Sequence, residues 1–316
     1  MISTEAKVAT ELAQATLIDN GWRINLNNSP VSPLVSIVIP VFNGMPYLID
    51  LVDSIFAQTY SPIEIVFSEG GGTDSSLEYL RTLHDPRVRI VEMPSGTTAA
   101  ENWTSASQSA TGEFVKLVCQ DDLLATDAIE RQVKDLQDQP TAVMAFAQRD
   151  IVDASGRVVY TRRGCSGLKS GLMPGNDLIK ETYLRGMNII GEPVAVLFRR
   201  QPLLDAMPWD GSNPLMLDIS CYQKVATNQF VVVRKQSVGA FRVSTSSWST
   251  RLTKVQLHQF RSWQDAYFIS AIPKPSKRDQ RKAVANAQIQ TLLRRSAYAW
   301  LRLRGSFVSQ TELDRG

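Results

Sequence analysis

Strand-forming runs alternate with helical patterns between residues 35 and 119, and this alternation constrains the fold more than any other feature. The runs are residues 35–39, 63–67, 87–91 and 114–119. The first is continuously β-branched, which is typical of a strand covered on both faces. The first helical pattern places apolar residues at 48, 51, 52 and 55 on one face. Together they predict right-handed parallel βαβ units and a doubly wound α/β sheet.

Composition narrows the classes of function. The chain has 316 residues, 43% hydrophobic and 21% charged, as in ordinary globular proteins. A net charge of +3 is too small to indicate a nucleic-acid partner. Three isolated cysteines without metal or redox spacing favour a reducing compartment. Residues 1–20 lack the apolar core of a signal peptide, and no stretch approaches the roughly 20 apolar residues of a spanning helix. We therefore expect a cytoplasmic protein.

Three regions are predicted along the chain. Residues 1–34 are expected to form an N-terminal helix, over 3–19, and a polar linker. Residues 35–250 hold the α/β domain, whose second half adds less regular strands at 142–147, 158–160, 194–198 and 230–234. Residues 251–316 form a helical, basic C-terminal extension, in which 277–304 has the pattern of one long helix.

Two adjacent carboxylates follow the strand at residues 114–119. Gln120-Asp121-Asp122 would lie on the rim of the sheet, where open α/β folds bind ligands. Adjacent carboxylates repel each other unless a cation or hydrogen-bond donors offset them, and a hard divalent ion that bridges to phosphate suits them. The alternative is that Asp122 or Thr126 only caps a helix at residues 127–136.

Five segments of the first half stand in a fixed order. Residues 35–43 end in Pro-Val-Phe-Asn, and residues 54–60 read Ser-Ile-Phe-Ala-Gln-Thr-Tyr. Residues 63–74 end in Ser-Glu-Gly-Gly-Gly-Thr-Asp. Residues 100–102 read Ala-Glu-Asn, ahead of Ala-Thr-Gly-Glu-Phe at 110–114, and residues 120–122 read Gln-Asp-Asp. In this order and spacing they resemble the family 2 glycosyltransferases, which are inverting enzymes. The resemblance covers roughly residues 35–250. It implies a GT-A fold, with a doubly wound, mostly parallel central sheet flanked by helices.

The resemblance also implies a role for individual residues. The donor-binding residues it implies are Pro40, Val41, Phe42, Asn43, Glu69, Asn102, Gln120 and Arg242. Asp121, together with Asp122, would hold Mg²⁺ or Mn²⁺ on the diphosphate, although a cap or a supporting role remains open for Asp122. Asp218 would be the general base, with a capping aspartate as its alternative.

Three positions depart from the family pattern. Gly70 stands in place of an aspartate, Glu101 in place of an arginine, and Cys119 in place of the first acid of the metal-binding cluster. Glu101 has a structural interpretation, because residues 98–101 read Thr-Ala-Ala-Glu and fit a helix capping box.

The C-terminal region concentrates positive charge. Residues 274–304 hold nine basic residues and one acid, with tryptophan, tyrosine and leucines among them. Two interpretations follow: a helix lying on an anionic membrane surface, or a solvated basic face packed on the catalytic domain.

The function implied is transfer of a sugar from a UDP-, GDP- or dTDP-linked donor to the hydroxyl of a saccharide or lipid-linked saccharide. Such a reaction belongs in bacterial surface polysaccharide or glycolipid assembly. The protein would be cytoplasmic or peripheral at the inner face of the membrane. The alternative is a degenerate, non-catalytic GT-A domain that acts as a nucleotide-binding or scaffold subunit.

Overall fold

The structure, a computed structural model, describes residues 15–18, 21–24, 32–244, 248–252 and 254–303. Two compact units are present, residues 1–33 and 34–316. In the first, β1 (Ala15–Ile18) pairs antiparallel with β2 (Gly21–Ile24). The helix predicted over residues 3–19 is therefore wrong at 15–18, where alternating β-branched residues favour a strand. Residues 3–14 and 25–31, the rest of that helix and most of the linker, lie outside the described residues.

The second unit is built on one ten-stranded sheet. Its strands are β3 (Val35–Val41), β4 (Ile63–Glu69), β5 (Val88–Glu92), β6 (Phe114–Leu117), β7 (Leu123–Leu124), β8 (Ala142–Val152), β9 (Val158–Arg163), β10 (Gly171–Pro174), β11 (Val196–Arg199) and β12 (Phe230–Arg242). The order is β10-β12-β8-β11-β6-β3-β4-β5, with β7 on β12 and β9 on β8. Neighbouring strands from β6 to β5 are parallel, as the alternation predicts, and β11 runs antiparallel between β6 and β8.

Helices cover both faces of this sheet, which confirms the predicted α/β fold. They are α1 (Tyr47–Phe56), α2 (Ser76–Arg81), α3 (Ala99–Gln108), α4 (Ala128–Asp138), α5 (Gly175–Arg185), α6 (Arg200–Asp205), α7 (Leu217–Ala226), α8 (Trp248–Arg251), α9 (Gln256–Ser270) and α10 (Lys277–Leu303). Apolar side chains of α1 and α4 pack into one core, and those of α3, α5, α7 and α9 into the other. Among the described helices, none combines the length and apolarity that crossing a membrane requires.

The register of the parallel strands brings several loops to one edge. Val41, at the end of β3, lies opposite Glu69, at the end of β4. β6 is parallel to β3, so the segment that follows it leaves the sheet at the same edge. Because β7 pairs with Gly239 and Ala240, the end of β12 also reaches this edge. The carboxyl edge of the sheet therefore collects residues that are far apart in sequence.

Candidate active site

Gln120 and Asn43 tie the strand-end loops together. The Gln120 side chain forms two hydrogen bonds with the main chain of Phe42: the Phe42 N–H donates to Oε1 at 2.6 Å, and Nε2 donates to the Phe42 carbonyl at 2.8 Å. Asn43 has a left-handed backbone, with φ of 51°, and its Oδ1 accepts from the N–H groups of Thr73 and Asp74. Both predicted donor-binding residues thus shape the loops that carry them.

Phe42 is the exposed member of the segment that ends β3. Its side chain is 51% exposed, whereas Pro40 and Val41 are buried in the sheet. Two hydrogen bonds fix the main chain of Phe42, and its exposed aromatic ring offers a flat apolar surface. Of these three predicted donor contacts, Phe42 alone has an exposed side chain, and its contact with a donor stays a prediction.

Glu69 and Asn102 are buried polar residues at the same edge. The Glu69 carboxylate accepts from the N–H groups of Gly71 and Gly72, at 3.0 and 2.8 Å. Asn102 Nδ2 donates to the Val41 carbonyl at 3.0 Å, while its buried Oδ1 has no hydrogen-bond partner among the described residues. A buried acceptor without a donor costs free energy, so a ligand that donates to it would be favoured.

The structure gives physical reasons for two departures from the family pattern. A Cβ at Gly70 would lie 2.7 Å from Asn102 Nδ2, so a larger side chain there requires Asn102 to move. Glu101 closes a capping box at the start of α3: its N–H donates to Thr98 Oγ1, and the Thr98 N–H donates to its carboxylate at 2.8 Å. The capping interpretation of Glu101 is confirmed.

Asp121 and Asp122 differ in exposure and in partners. Asp121 is half-buried, and Asp122 is fully buried. Asp122 Oδ1 accepts from the main-chain N–H of Arg242 at 3.2 Å, while Oδ2 has no partner among the described residues. The first residue before α4, Asp127, makes no side-chain cap bond, and Asp122 binds β12 instead. Asp122 is therefore bonded to β12 and not to the start of α4, and its part in metal binding stays a prediction.

Arg242 lies behind the acidic segment and binds it. Its guanidinium donates to Asp50 Oδ2 at 2.7 Å, to the Ala154 carbonyl at 3.1 Å and to the Asp121 carbonyl at 3.0 Å. It also stacks over the Tyr47 ring at 4.6 Å and is only 1% exposed. These contacts occupy the guanidinium within the fold, so its contact with a donor stays a prediction, and its observed role is to fix the Asp121 backbone.

The two carboxylates suit a divalent cation. Burial raises the pKa of both Asp121 and Asp122, and the charge of Asp121 raises that of Asp122 further. Arg242 is a nearby cation that lowers both pKa values. Within the described ranges no three histidine, cysteine, aspartate or glutamate side chains form a metal-binding group. The buried, unpartnered oxygen of Asp122 and the half-buried Asp121 thus fit an ion that takes its remaining oxygens from a bound ligand and water.

Asp218 occupies the first turn of α7. Its Oδ1 accepts from the Ile219 N–H at 2.7 Å, and its Oδ2 accepts from Asn188 Nδ2 at 2.9 Å. Burial, with the charge of Glu192 added, raises the pKa of Asp218 to about 7. A carboxyl group with a pKa near neutrality is able to accept and release a proton under physiological conditions.

Sequence reasoning missed the residues that surround Asp218. Arg149, in β8, forms a largely buried ion pair with Glu192, and this Glu192 raises the pKa of Asp218 while Arg149 lowers it. Asn188 is held by its own loop, because its Oδ1 accepts from the N–H groups of Ile190 and Gly191. Arg149 and Glu192 are 43 residues apart, so no local pattern links them. A sequence signal existed only in Gly191-Glu192-Pro193, an acid directly ahead of a predicted strand.

Cys119 connects the acidic pair with Asp218. Burial raises the pKa of its thiol, and the charges of Asp122, Asp121, Asp218 and Glu192 raise it further. The charges of all four acids therefore reach Cys119, and its thiol is neutral at physiological pH. An acid in place of Cys119 would add a fifth negative charge. The structure thus brings the predicted metal residues and the predicted base into one electrostatic neighbourhood.

The α/β sheet with helices on both faces has the GT-A fold of the solved glycosyltransferase structures that it resembles. The sequence profile described as Glycosyl transferase family 2 matches residues 36–202, more than half of the chain, and the chain belongs to this family.

Curated relatives align with a smaller part of the chain. The glycosyltransferase GlyG of Streptococcus pneumoniae serotype 4 is 32% identical over 116 residues, which cover 36% of this chain and 38% of the relative. The chondroitin synthase of Pasteurella multocida is 33% identical over 129 residues, 40% of this chain and 13% of the relative. The alignments thus span well under half the length of these relatives.

Solved structures share the fold over a larger part of the chain. TarS residues 1–349 of S. aureus in complex with UDP has a TM-score of 0.57 and 16% identity, covering 80% of this chain and 70% of that one. The mannosyltransferase PcManGT of Pyrobaculum calidifontis, in complex with GDP-Man and Mn²⁺, has a TM-score of 0.55 and 17% identity, with coverages of 87% and 81%.

Proposed function

We propose that this family 2 glycosyltransferase is inverting and transfers a sugar from a nucleoside-diphosphate donor to an acceptor hydroxyl. One observation supports the proposal above the others: besides burial, the charge of Glu192 raises the pKa of both Asp122 and Asp218, whose pKa is about 7. We infer that a base for the acceptor and an anionic centre suited to a metal diphosphate belong to one site.

In the proposed reaction Asp218 takes the proton of the acceptor hydroxyl. The acceptor oxygen forms its bond to the anomeric carbon as the bond to the donor phosphate breaks on the opposite face. The nucleoside diphosphate leaves with that electron pair, and a single displacement inverts the anomeric configuration. Asn188 holds the base in place, because its Nδ2 donates to Asp218 Oδ2 at 2.9 Å.

The donor is proposed to bind along the strand ends. The exposed ring of Phe42 would lie against the nucleobase, and the buried Oδ1 of Asn102 and the Glu69 carboxylate would accept hydrogen bonds from the base or ribose. Asp121, supported from behind by Asp122, would hold Mg²⁺ or Mn²⁺. Such an ion, when bound, supplies positive charge that offsets the charge growing on the diphosphate.

The nucleotide is proposed to be UDP or GDP, with dTDP as a third possibility. Structures with the same fold hold UDP, UDP-GlcNAc or GDP-Man, which supports a nucleotide-sugar donor. We propose a saccharide or lipid-linked saccharide as acceptor, in bacterial surface polysaccharide or glycolipid assembly. The proposed location is the cytoplasm or the inner membrane face, consistent with isolated cysteines in a reducing compartment.

Calorimetric titration with UDP, GDP and dTDP, each with and without Mn²⁺, tests the donor site. We expect one nucleotide to bind at least tenfold more tightly with Mn²⁺, and Asp121→Ala to abolish this difference. Asp138→Ala is the matched control, because Asp138 is an exposed aspartate of α4 that pairs, among the described residues, with Lys134. Nucleotide binding of equal affinity with and without Mn²⁺ would contradict the metal role. If none of the three nucleotides binds, the non-catalytic scaffold is favoured.

A further inference from the structure

The long helix α10 carries its large apolar side chains outward. The residues it buries are mostly small, including Ala283, Ala287 and Thr291. Its large apolar residues are exposed: Ile289 by 52%, Leu292 by 63%, Leu293 by 59%, Trp300 by 39% and Leu303 by 88%. At 100° per residue these five lie within one sector of the helix, opposite the buried face. We call this sector the outer face of α10.

Contacts with α5 and α9 fix this orientation. Gly186, just after α5, approaches so closely that a Cβ there would lie 2.2 Å from the Ala287 nitrogen. Asn286 Nδ2 donates to the Leu184 carbonyl at 2.7 Å, and Gln264 Nε2 bridges the carbonyls of Tyr183 and Ala283. Turning the leucines inward would break these bonds and place large side chains where the backbones meet. The outward apolar stripe is therefore a property of the docked helix.

Basic side chains lie in the outer face and on its flank. At 100° per residue Arg278, Arg281 and Lys282 lie in or beside the sector, whereas Lys277, Arg295 and Arg302 are exposed on the flank. From Lys277 to Leu303 there are seven basic residues and one acid, Asp279, whose carboxylate accepts from Ser276 Oγ. Ahead of the helix, Ile272 is 95% exposed and lies beside Lys274 in the chain. Apolar and positively charged groups are thus combined along a helix that is about 40 Å long at 1.5 Å per residue.

We propose that the outer face of α10 binds an anionic lipid surface, with the helix lying in the plane of the membrane. Apolar residues of this size insert at the boundary between headgroups and acyl chains, while lysine and arginine pair with anionic headgroups. Charge selects this partner over a second copy of the chain, because two such helices packed face to face would bring like charges together. The site would then work next to a membrane, where lipid-linked acceptors are found.

Flotation with phosphatidylcholine vesicles, with and without about 30% phosphatidylglycerol, tests this surface on the full chain. We expect binding only to the anionic vesicles, at least tenfold weaker in 0.5 M salt than in 0.05 M salt because salt screens the headgroups. Arg281→Gln/Lys282→Gln should weaken binding by roughly fivefold for each charge removed.

Leu292→Ser/Leu293→Ser should weaken vesicle binding about tenfold or more, since two inserted leucines are lost. The matched control is Val158→Ser/Leu172→Ser, which should leave binding unchanged. These two exposed apolar residues lie on the strands β9 and β10. Circular dichroism and sedimentation accompany each variant. Equal binding to neutral vesicles, no binding to either, or a concentration-dependent dimer that the leucine variant dissolves would each overturn the proposal.

Discussion

Burial is the largest cause of the raised pKa of Asp218, and the charge of Glu192 raises it further. The Ile219 N–H and the charge of Arg149 lower this pKa, and the Asn188 amide donates to the carboxylate. The pKa of about 7 is therefore a balance between burial and neighbouring groups, among them side chains that do not contact the reacting atoms in the proposed reaction. In the proposed reaction the positioning residues are Asn188, Glu192 and Arg149. A loss of folding would not reproduce the change in pH dependence that this role predicts.

The pH dependence of kcat/KM separates these roles. A general base works deprotonated, so the rate should fall as pH drops below about 7. Asn188→Ala removes a donor to the carboxylate and should move the acidic fall in kcat/KM to higher pH. Glu192→Gln removes an anion and should move this fall to lower pH. Asp218→Asn should lose about 10²–10⁴ in kcat with donor binding retained. Shifts in the same direction for Asn188→Ala and Glu192→Gln, or a near-normal kcat for Asp218→Asn, would contradict the assignment.

Much of the residue-level chemistry was open to sequence reasoning because it lies in short motifs. Phe42, Asp121 and Asp122 follow strands that were predicted, Asn102 lies in the helix α3, and the structure brings their segments to one edge. The orientation of Arg242 was not predictable, because its contacts with Asp50 and Ala154 join segments 192 and 88 residues away. Only the assembled sheet shows that this arginine lies behind the acidic segment.

At the scale of elements, the close contact between α5 and α10 depends on one glycine. Gly186 has φ of +65° and meets the Ala287 backbone, so Gly186→Ala combines backbone strain with a clash. Gly171 also has a positive φ, +117°, but nothing lies within 4 Å of the position that a Cβ would take there. We expect Gly171→Ala to cost about 1 kcal/mol of unfolding free energy and Gly186→Ala about 2–4 kcal/mol. Urea denaturation measures both, and equal losses would contradict the close packing.

Periodicity predicted most elements but not which face they bury. The runs predicted at 35–39 and 63–67 correspond to the strands Val35–Val41 and Ile63–Glu69. The helix predicted over 277–304 corresponds to Lys277–Leu303. Within that helix the apolar stripe was visible in the sequence, yet the small residues face the protein. A helical pattern gives the spacing of apolar groups, whereas the partner decides which side is covered. The strand at Ala15–Ile18 was missed because its alternation extends over only four residues.

At the scale of the whole molecule, the acidic centre should lower stability as pH rises. The folded-state pKa of Asp218, about 7, lies above its unfolded value of roughly 3.9. Its contribution to stability is therefore full below pH 4 and is lost as pH rises towards 7 and beyond. Asp218→Asn removes this dependence, so the variant's unfolding free energy minus that of the wild type should increase from pH 5 to pH 8. Denaturant unfolding without metal at both values measures this, and a difference that stays constant or decreases would contradict a raised pKa.

Arg242 has a consequence for the order in which the enzyme is completed during synthesis. The arginine joins α1, the turn before β9 and the acidic segment, and it is made 120 residues after Asp122. A ribosome that has released only the first half of the chain has already produced Phe42, Glu69, Asn102 and Asp121. The Asp121-Asp122 segment lacks its contacts with Arg242 until the last residue of β12 emerges, so the proposed nucleotide binding should begin late and abruptly on a nascent chain.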